Sequence, residues 1–170
     1  IPSSPGYIGT YQWIGVAARP VVEAAGVKVI FASLTGDLLL DMLVAALMTM
    51  LCYSSLAVVL LLAAFASLKV IALPVALGLV LGANLGSGVL GMLSTVRSTP
   101  EARRVTLGNF LFKLIGCILL VPFVSHIEQP IGALGIGPAQ EVVLFHLAFN
   151  VTLALVFIFF TAPIARIAER

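Results

Sequence analysis

Two groups of small polar residues lie at the centres of long apolar stretches of this sequence, where they could bind ions. Hydroxyl and amide oxygens are hard ligands for a small cation such as Na⁺, and the N–H groups at the start of a helix bind an oxyanion. A cation and an anion bound side by side offset each other's charge in a medium of low dielectric. The pattern therefore predicts a transport site where membrane helices are interrupted. The groups are Tyr53-Ser54-Ser55 and Gly82-Ala83-Asn84-Leu85-Gly86-Ser87-Gly88.

Both groups also have an interpretation in which no ion is bound. Gly78, Gly82 and Gly86 recur every four residues, which is the spacing of small residues where membrane helices pack closely. The serines of the first group could bond back to a carbonyl of their own helix. The amide of Asn84 needs partners at mid-depth, which favours a functional role. From the residues alone, packing and ion binding both remain open.

The other polar side chains in apolar stretches are few. His146 and Asn150 are four residues apart on one helix face, which favours a hydrogen bond between helices over a ligand role. Lys113 is the one charge in its stretch, and we expect its long side chain to extend to the cytoplasmic headgroups. The chain has two histidines and two cysteines, far apart and without a catalytic arrangement. We therefore predict neither an enzyme nor a bound cofactor.

Composition indicates the environment of these residues. Hydrophobic residues make up 61% of the 170-residue chain and charged residues only 9%, against about 25% charge in soluble domains. The net charge of +2 is too small to suggest a nucleic-acid partner. We predict an all-α protein whose main partner is the lipid bilayer, since four apolar stretches each exceed the roughly 20 residues that cross it. These stretches are 42–68, 70–96, 105–125 and 142–165.

The first two stretches are predicted to be interrupted. Residues 38–68 would form a re-entrant helical hairpin with the serines at its tip, because each half is too short to cross the bilayer. Residues 70–96 would form a broken helix, because glycines weaken its centre and Pro74 adds a kink.

Two further helices, 105–125 and 140–165, complete a membrane unit over residues 36–170. This unit therefore holds the hairpin and about three transmembrane helices, one of them broken. Residues 1–35 are predicted to be a loop and interfacial segment, because their prolines, glycines and aromatic residues are typical of a membrane surface.

Basic residues predict the orientation. Arg97, Arg103 and Arg104 follow the second stretch, and two more arginines lie in the last five residues, whereas 126–140 contains neither Lys nor Arg. The positive-inside rule places the arginines in the cytoplasm. We expect a multi-pass protein of the inner (plasma) membrane with a cytoplasmic C-terminus.

Several ordered motifs resemble those of the bacterial type II sodium/phosphate cotransporter family. The resemblance extends from about residue 21 to the end of the chain. Its motifs are Cys52-Tyr53-Ser54-Ser55-Leu56-Ala57, Gly82-Ala83-Asn84-Leu85-Gly86-Ser87, Ala102-Arg103-Arg104, Leu111-Phe112-Lys113-Leu114-Ile115-Gly116 and Phe145-His146-Leu147-Ala148-Phe149-Asn150.

The resemblance implies one half of a transporter made of two inverted repeats, namely the second repeat. Its implied function is symport of inorganic phosphate with Na⁺ by alternating access. The implied partners are the first repeat and a PhoU-like cytoplasmic domain. The alternatives are a transporter or channel for another anion and a membrane scaffold that transports nothing. The implied ion-binding residues are Ser54, Ser55, Gly82, Asn84, Gly86 and Ser87, supported by Tyr53, Asn109, His146 and Asn150.

Overall fold

A computed structural model describes residues 37–160, and these residues are helical almost throughout. The predicted all-α fold is confirmed. The interfacial segment 1–35, positions 161–165 of the last predicted helix and the arginines of the chain end lie outside the described residues. The α-helices are α1 (Leu38–Cys52), α2 (Ser55–Ser67), α3 (Leu73–Ser94), α4 (Pro100–Leu120), α5 (Val124–Gly132) and α6 (Pro138–Phe157).

Helices α1 and α2 form the predicted hairpin. The Asp37 carboxylate begins α1 by accepting hydrogen bonds from the N–H groups of Leu39 and Leu40, at 3.0 and 3.2 Å. Tyr53 ends α1 in the left-handed region, with φ 54°. Ser54 begins α2, since its Oγ accepts a hydrogen bond from the Ala57 N–H at 3.1 Å. The polar residues at the centre of the first stretch therefore make the turn.

The predicted break in the second stretch is wrong, because α3 is one continuous helix from Leu73 to Ser94. Pro74 lies in the first turn, where its missing N–H removes no helical hydrogen bond, so it does not kink the helix. Asn84 Nδ2 donates to the Val80 carbonyl at 3.0 Å, and Ser87 Oγ donates to the Asn84 carbonyl at 2.8 Å. These side chains bond to their own helix and do not open it.

The glycines of α3 allow close contact with α1. A Cβ added to Gly82 would collide with the Met42 backbone, and one added to Gly86 would lie 2.5 Å from the Ala46 carbonyl oxygen. Both contacts advance by four residues, so α1 and α3 run parallel. The packing interpretation of the four-residue glycine spacing is therefore confirmed.

Helix α3 lies at the centre of the fold and contacts each of the other five α-helices. Helix α4 returns antiparallel to it, as the 2.7 Å contact between the Thr95 and Thr106 hydroxyls at their adjoining ends indicates. Helix α4 begins at Pro100, five residues before the predicted 105, and a short 3-10 turn joins it to α5. Helix α6 then packs on α2 and α3.

Three helical segments are long and apolar enough to cross a membrane: Leu73–Ser94, Pro100–Gly132 and Pro138–Phe160. The hairpin helices have 15 and 13 residues, or about 22 and 20 Å at 1.5 Å per residue, so neither crosses a hydrocarbon core of about 30 Å. A helical hairpin beside three segments that could cross a membrane agrees with the predicted architecture, except that none of the three is broken at the predicted place.

Candidate functional site

A buried polar network joins three helices at the midpoint of α3. Asn84 is 0% exposed. Its Nδ2 lies 3.2 Å from His146 Nδ1 on α6. Its Oδ1 accepts a hydrogen bond from Asn150 Nδ2, one turn further along α6, at 3.0 Å. Both polar atoms of the Asn84 amide are therefore satisfied by α6, as a buried amide requires.

The network defines the state of the His146 ring. Asn150 Nδ2 also lies 3.5 Å from His146 Nδ1 and donates to the His146 carbonyl at 2.8 Å. Because the Asn84 amide presents an N–H donor to this nitrogen, the geometry fits the tautomer in which Nδ1 accepts and Nε2 carries the proton. The hydrogen bond between helices expected for His146 and Asn150 is therefore present.

A second arm of the network comes from α4. Lys113 Nζ donates to Ser87 Oγ at 2.6 Å, and Ser87 donates in turn to the Asn84 carbonyl. One turn further along α4, Cys117 Sγ lies 3.6 Å from the Leu81 carbonyl oxygen. The expectation that Lys113 extends to the cytoplasmic headgroups is wrong. Lys113 lies on the face of α4 that packs against α3, where its ammonium reaches the Ser87 hydroxyl.

A cavity of about 300 Å³ opens beside the two arms, between α4 and α6. Its polar lining comes from Asn109, Lys113 and Asn150, and its apolar lining includes Phe112 and Phe157. The rings of Phe112 and Phe157 stack with their centroids 4.4 Å apart, which joins α4 to α6. Of the predicted supporting residues, Asn109 and Asn150 thus line one cavity, and His146 contacts Asn150.

The hairpin tip lies apart from this network. Tyr53 is 78% exposed. Within residues 37–160, no hydrogen bond links Ser54 or Ser55 to Asn84 or Ser87. The predicted site residues therefore form two groups, the tip and the network.

The two groups nevertheless lie at similar depth. A Cβ added to Gly86 of α3 would lie 2.9 Å from Thr49 Cβ, and Thr49 precedes the tip by four residues. Because α1 and α3 run parallel, the tip lies only about 6 Å beyond Gly86 along the bundle. Ser87 and its partner Lys113 are within about one helical turn of that level.

Sequence reasoning missed three residues, and one of them carried a signal. Lys113 is a charge within an apolar stretch, which is a functional candidate by default. Thr49 carried no signal, and the acidic side chain of Asp41 at the entry to the hairpin predicts exposure to water, which is wrong. Asp41 and Thr49 are 3% and 0% exposed, and in the described part of the chain Asp41 Oδ1 and Thr49 Oγ1 have no hydrogen-bond partner.

Three helical segments that could cross a membrane, joined by a buried polar network, define the class of integral membrane proteins. The sequence model of the Na⁺/Pi-cotransporter family matches residues 21–140. The chain therefore belongs to this family.

Curated relatives agree with this assignment. YjbB of Escherichia coli (strain K12), which carries the provisional name inorganic phosphate export protein, is 47% identical over 153 residues, or 90% of this chain. YjbB of Salmonella typhimurium (strain LT2) is 45% identical over 154 residues, or 91% of the chain. YqeW, an uncharacterized protein of Bacillus subtilis (strain 168), is 28% identical over 117 residues, covering 69% of this chain and 38% of YqeW. The chain spans only 28% of the length of the YjbB proteins. No solved structure matches it.

Proposed function

We propose that this chain is one half of a transporter that moves inorganic phosphate together with Na⁺ by secondary active symport and alternating access. The observation that carries the proposal is the network centred on Asn84, which lies at the midpoint of a membrane helix in a member of the Na⁺/Pi-cotransporter family. Buried polar side chains at this depth mark substrate and ion pathways. The first repeat of the same transporter is the partner that completes the site.

The hairpin tip is the proposed position for the anion. The N-terminus of α2 points its positive dipole end at the tip. The N–H groups of Ser55 and Leu56 make no hydrogen bond within residues 37–160. Two free N–H groups and the serine hydroxyls suit an oxyanion. In this proposal, the N-terminus of α2 supplies the N–H groups for the anion that the sequence analysis expected from a break in α3.

The α3 side is the proposed position for the cation path. Gly82 and Gly86 bring α1 close to α3. Asn84 and Ser87 add amide, hydroxyl and carbonyl oxygens, which are the ligands that Na⁺ prefers. We assign ion binding jointly to Ser54, Ser55, Gly82, Asn84, Gly86 and Ser87, with Tyr53, Asn109, His146 and Asn150 in support.

The positions of the basic residues indicate the orientation of the chain in the membrane. The turn between α3 and α4 and the start of α4 carry Arg97, Arg103 and Arg104, and we assign them to the cytoplasm of a cell with the protein in its inner membrane. Because α1 runs parallel to α3, the hairpin then enters from the opposite side. A cytoplasmic C-terminus would suit a PhoU-like domain as a further partner. An enzymatic role is not part of the proposal.

The direction of transport is a second question. The name of the YjbB relatives describes phosphate export, whereas symport down an inward Na⁺ gradient gives import. The free-energy gradients of the two ions set the direction in a symporter, so the same site serves both. We propose coupling to Na⁺ and take export as the second candidate.

Flux measurements on the full-length protein test the proposal. Proteoliposomes are loaded with radiolabelled phosphate or bathed in it, and Na⁺ gradients of either direction are imposed. Flux that follows the Na⁺ gradient and fails with K⁺ supports symport. Outward flux that ignores Na⁺ supports export without coupling. Flux of sulfate or a carboxylate in preference to phosphate supports another anion, and no flux of any anion supports a scaffold.

A further inference from the structure

Lys113 is a half-buried lysine on α4 that has no counter-charge among residues 37–160. Its ammonium donates to Ser87 Oγ, which is neutral. Among residues 37–160, no carboxylate forms an ion pair with it, and the titratable groups that interact with it are Cys117 and His146. Removing an ammonium from water without pairing it is costly. The site therefore favours an anion.

The cavity beside Lys113 offers donors for such an anion. An ammonium has three N–H groups, and Ser87 uses one of them. The Asn109 side chain lines the same cavity and makes no hydrogen bond within the described residues. At about 300 Å³, the cavity has room for a tetrahedral oxyanion with several waters, each of which occupies about 30 Å³. Among residues 37–160, no acidic side chain lines it.

The position of the cavity relates it to the transport path. Lys113 is joined through Ser87 to the backbone of Asn84, and it lies within about one helical turn of the depth of the hairpin tip. A single lysine acts as a point charge and holds phosphate less rigidly than a bidentate arginine, which suits a site that must release its ligand.

We infer that Lys113 and Asn109 bind a phosphate group in the cavity between α4 and α6. This inference rests on the proposed function, since it adds a second anion position to the same path. Inorganic phosphate and the headgroup of an anionic lipid share the required chemistry. The experiment separates these two sources.

The first readout is binding without transport. The full-length protein in detergent is heated with inorganic phosphate, or with phosphatidylglycerol, and Tm is recorded. A ligand that binds the folded state raises Tm. We expect inorganic phosphate to raise Tm of the wild type, and Lys113→Gln to reduce this shift to the part that comes from phosphate bound at the hairpin tip. The shift is kept in Lys113→Arg, which keeps the charge, and in the matched control Lys69→Gln, which removes an exposed lysine outside the cavity.

A second variant covers the case in which Lys113→Gln does not fold. Ala154→Phe fills the cavity from α6 and leaves the bond between Lys113 and Ser87 in place. This variant should reduce the phosphate-dependent rise in Tm to the same extent as Lys113→Gln. A shift that appears only with phosphatidylglycerol and depends on Lys113 identifies a lipid headgroup as the source of the phosphate group. Equal shifts in the wild type, Lys113→Gln and Ala154→Phe overturn the site.

Transport kinetics give the second readout. In proteoliposomes, we expect Lys113→Gln to raise the phosphate KM at least about tenfold, which corresponds to about 1.4 kcal/mol. Normal Na⁺-driven transport with an unchanged phosphate KM refutes the Lys113 site and leaves the proposed function standing. A Lys113-dependent Tm shift in a protein that transports no phosphate refutes the proposed function and leaves the site standing.

Discussion

Asn150 Nδ2 donates a hydrogen bond to Asn84 Oδ1 over 3.0 Å, and this bond joins α6 to the midpoint of α3. Since Asn84 is fully buried, its amide has no access to water that would replace the bond. Helix α4 reaches the same point through Lys113 and Ser87. Any movement of α3 relative to α4 and α6 must therefore break or exchange bonds of this network, including the movement in the proposed alternating access.

The bond between Asn84 and Asn150 should couple the two residues energetically. We expect the double-mutant cycle of Asn84→Ala and Asn150→Ala to give a coupling energy of about 0.6 kcal/mol, the average for hydrogen bonds between membrane helices. The measurement is unfolding of the full-length protein in mixed micelles. Strictly additive effects of the two changes would contradict the bond.

Substituting glycines of α3 by alanine should distinguish its close helix contacts from its loose ones. Gly82→Ala places a Cβ against the Met42 backbone, and we expect it to destabilise the protein by about 1–3 kcal/mol through overpacking. The matched control is Gly91→Ala, whose Cβ would meet Thr106 at an ordinary 3.8 Å. Alanine at that position should stabilise the helix by about 0.5–1 kcal/mol. Thermal unfolding of both variants checks that Gly82→Ala lowers stability and that Gly91→Ala raises it. A Gly82→Ala variant that is more stable than the wild type would refute the parallel packing of α1 on α3.

Thr49→Val should raise stability. Thr49 Oγ1 is buried and lacks a hydrogen-bond partner among the described residues, so valine removes an unsatisfied polar group while keeping the side chain's shape. We expect a gain of about 1 kcal/mol, measured as a higher Tm. A lower Tm would mean that the hydroxyl has a partner in the complete transporter.

The two serines of the hairpin tip should respond differently to alanine. Ser54→Ala removes the N-cap of α2 and should cost about 1 kcal/mol of stability. Ser55 makes no side-chain hydrogen bond within residues 37–160, so Ser55→Ala should leave Tm unchanged and lower phosphate uptake. Parallel measurements of Tm and uptake distinguish the structural role from the ligand role. Unchanged uptake in Ser55→Ala would remove this residue from the proposed site.

The hairpin could be predicted from local turn and cap chemistry, whereas the continuity of α3 could not be predicted from the sequence. Tyr53-Ser54 interrupts an apolar stretch too long for one crossing helix, and turn and cap chemistry then define the ends. The glycines of α3 weaken an isolated helix, but packing against α1 compensates for them, and this contact is visible only in three dimensions. The same holds for Lys113, because its partner Ser87 lies on another helix.

One measurement tests the central claim most directly: the initial rate of radiolabelled phosphate uptake into proteoliposomes that contain the full-length protein, under an inward Na⁺ gradient and with K⁺ in place of Na⁺. The wild type and Asn84→Ala are compared at equal amounts of folded protein. We predict uptake that requires Na⁺ in the wild type and falls at least about tenfold in Asn84→Ala, since buried polar residues at this depth carry the ion path. Equal uptake in Na⁺ and K⁺, or full uptake by Asn84→Ala, would contradict the account.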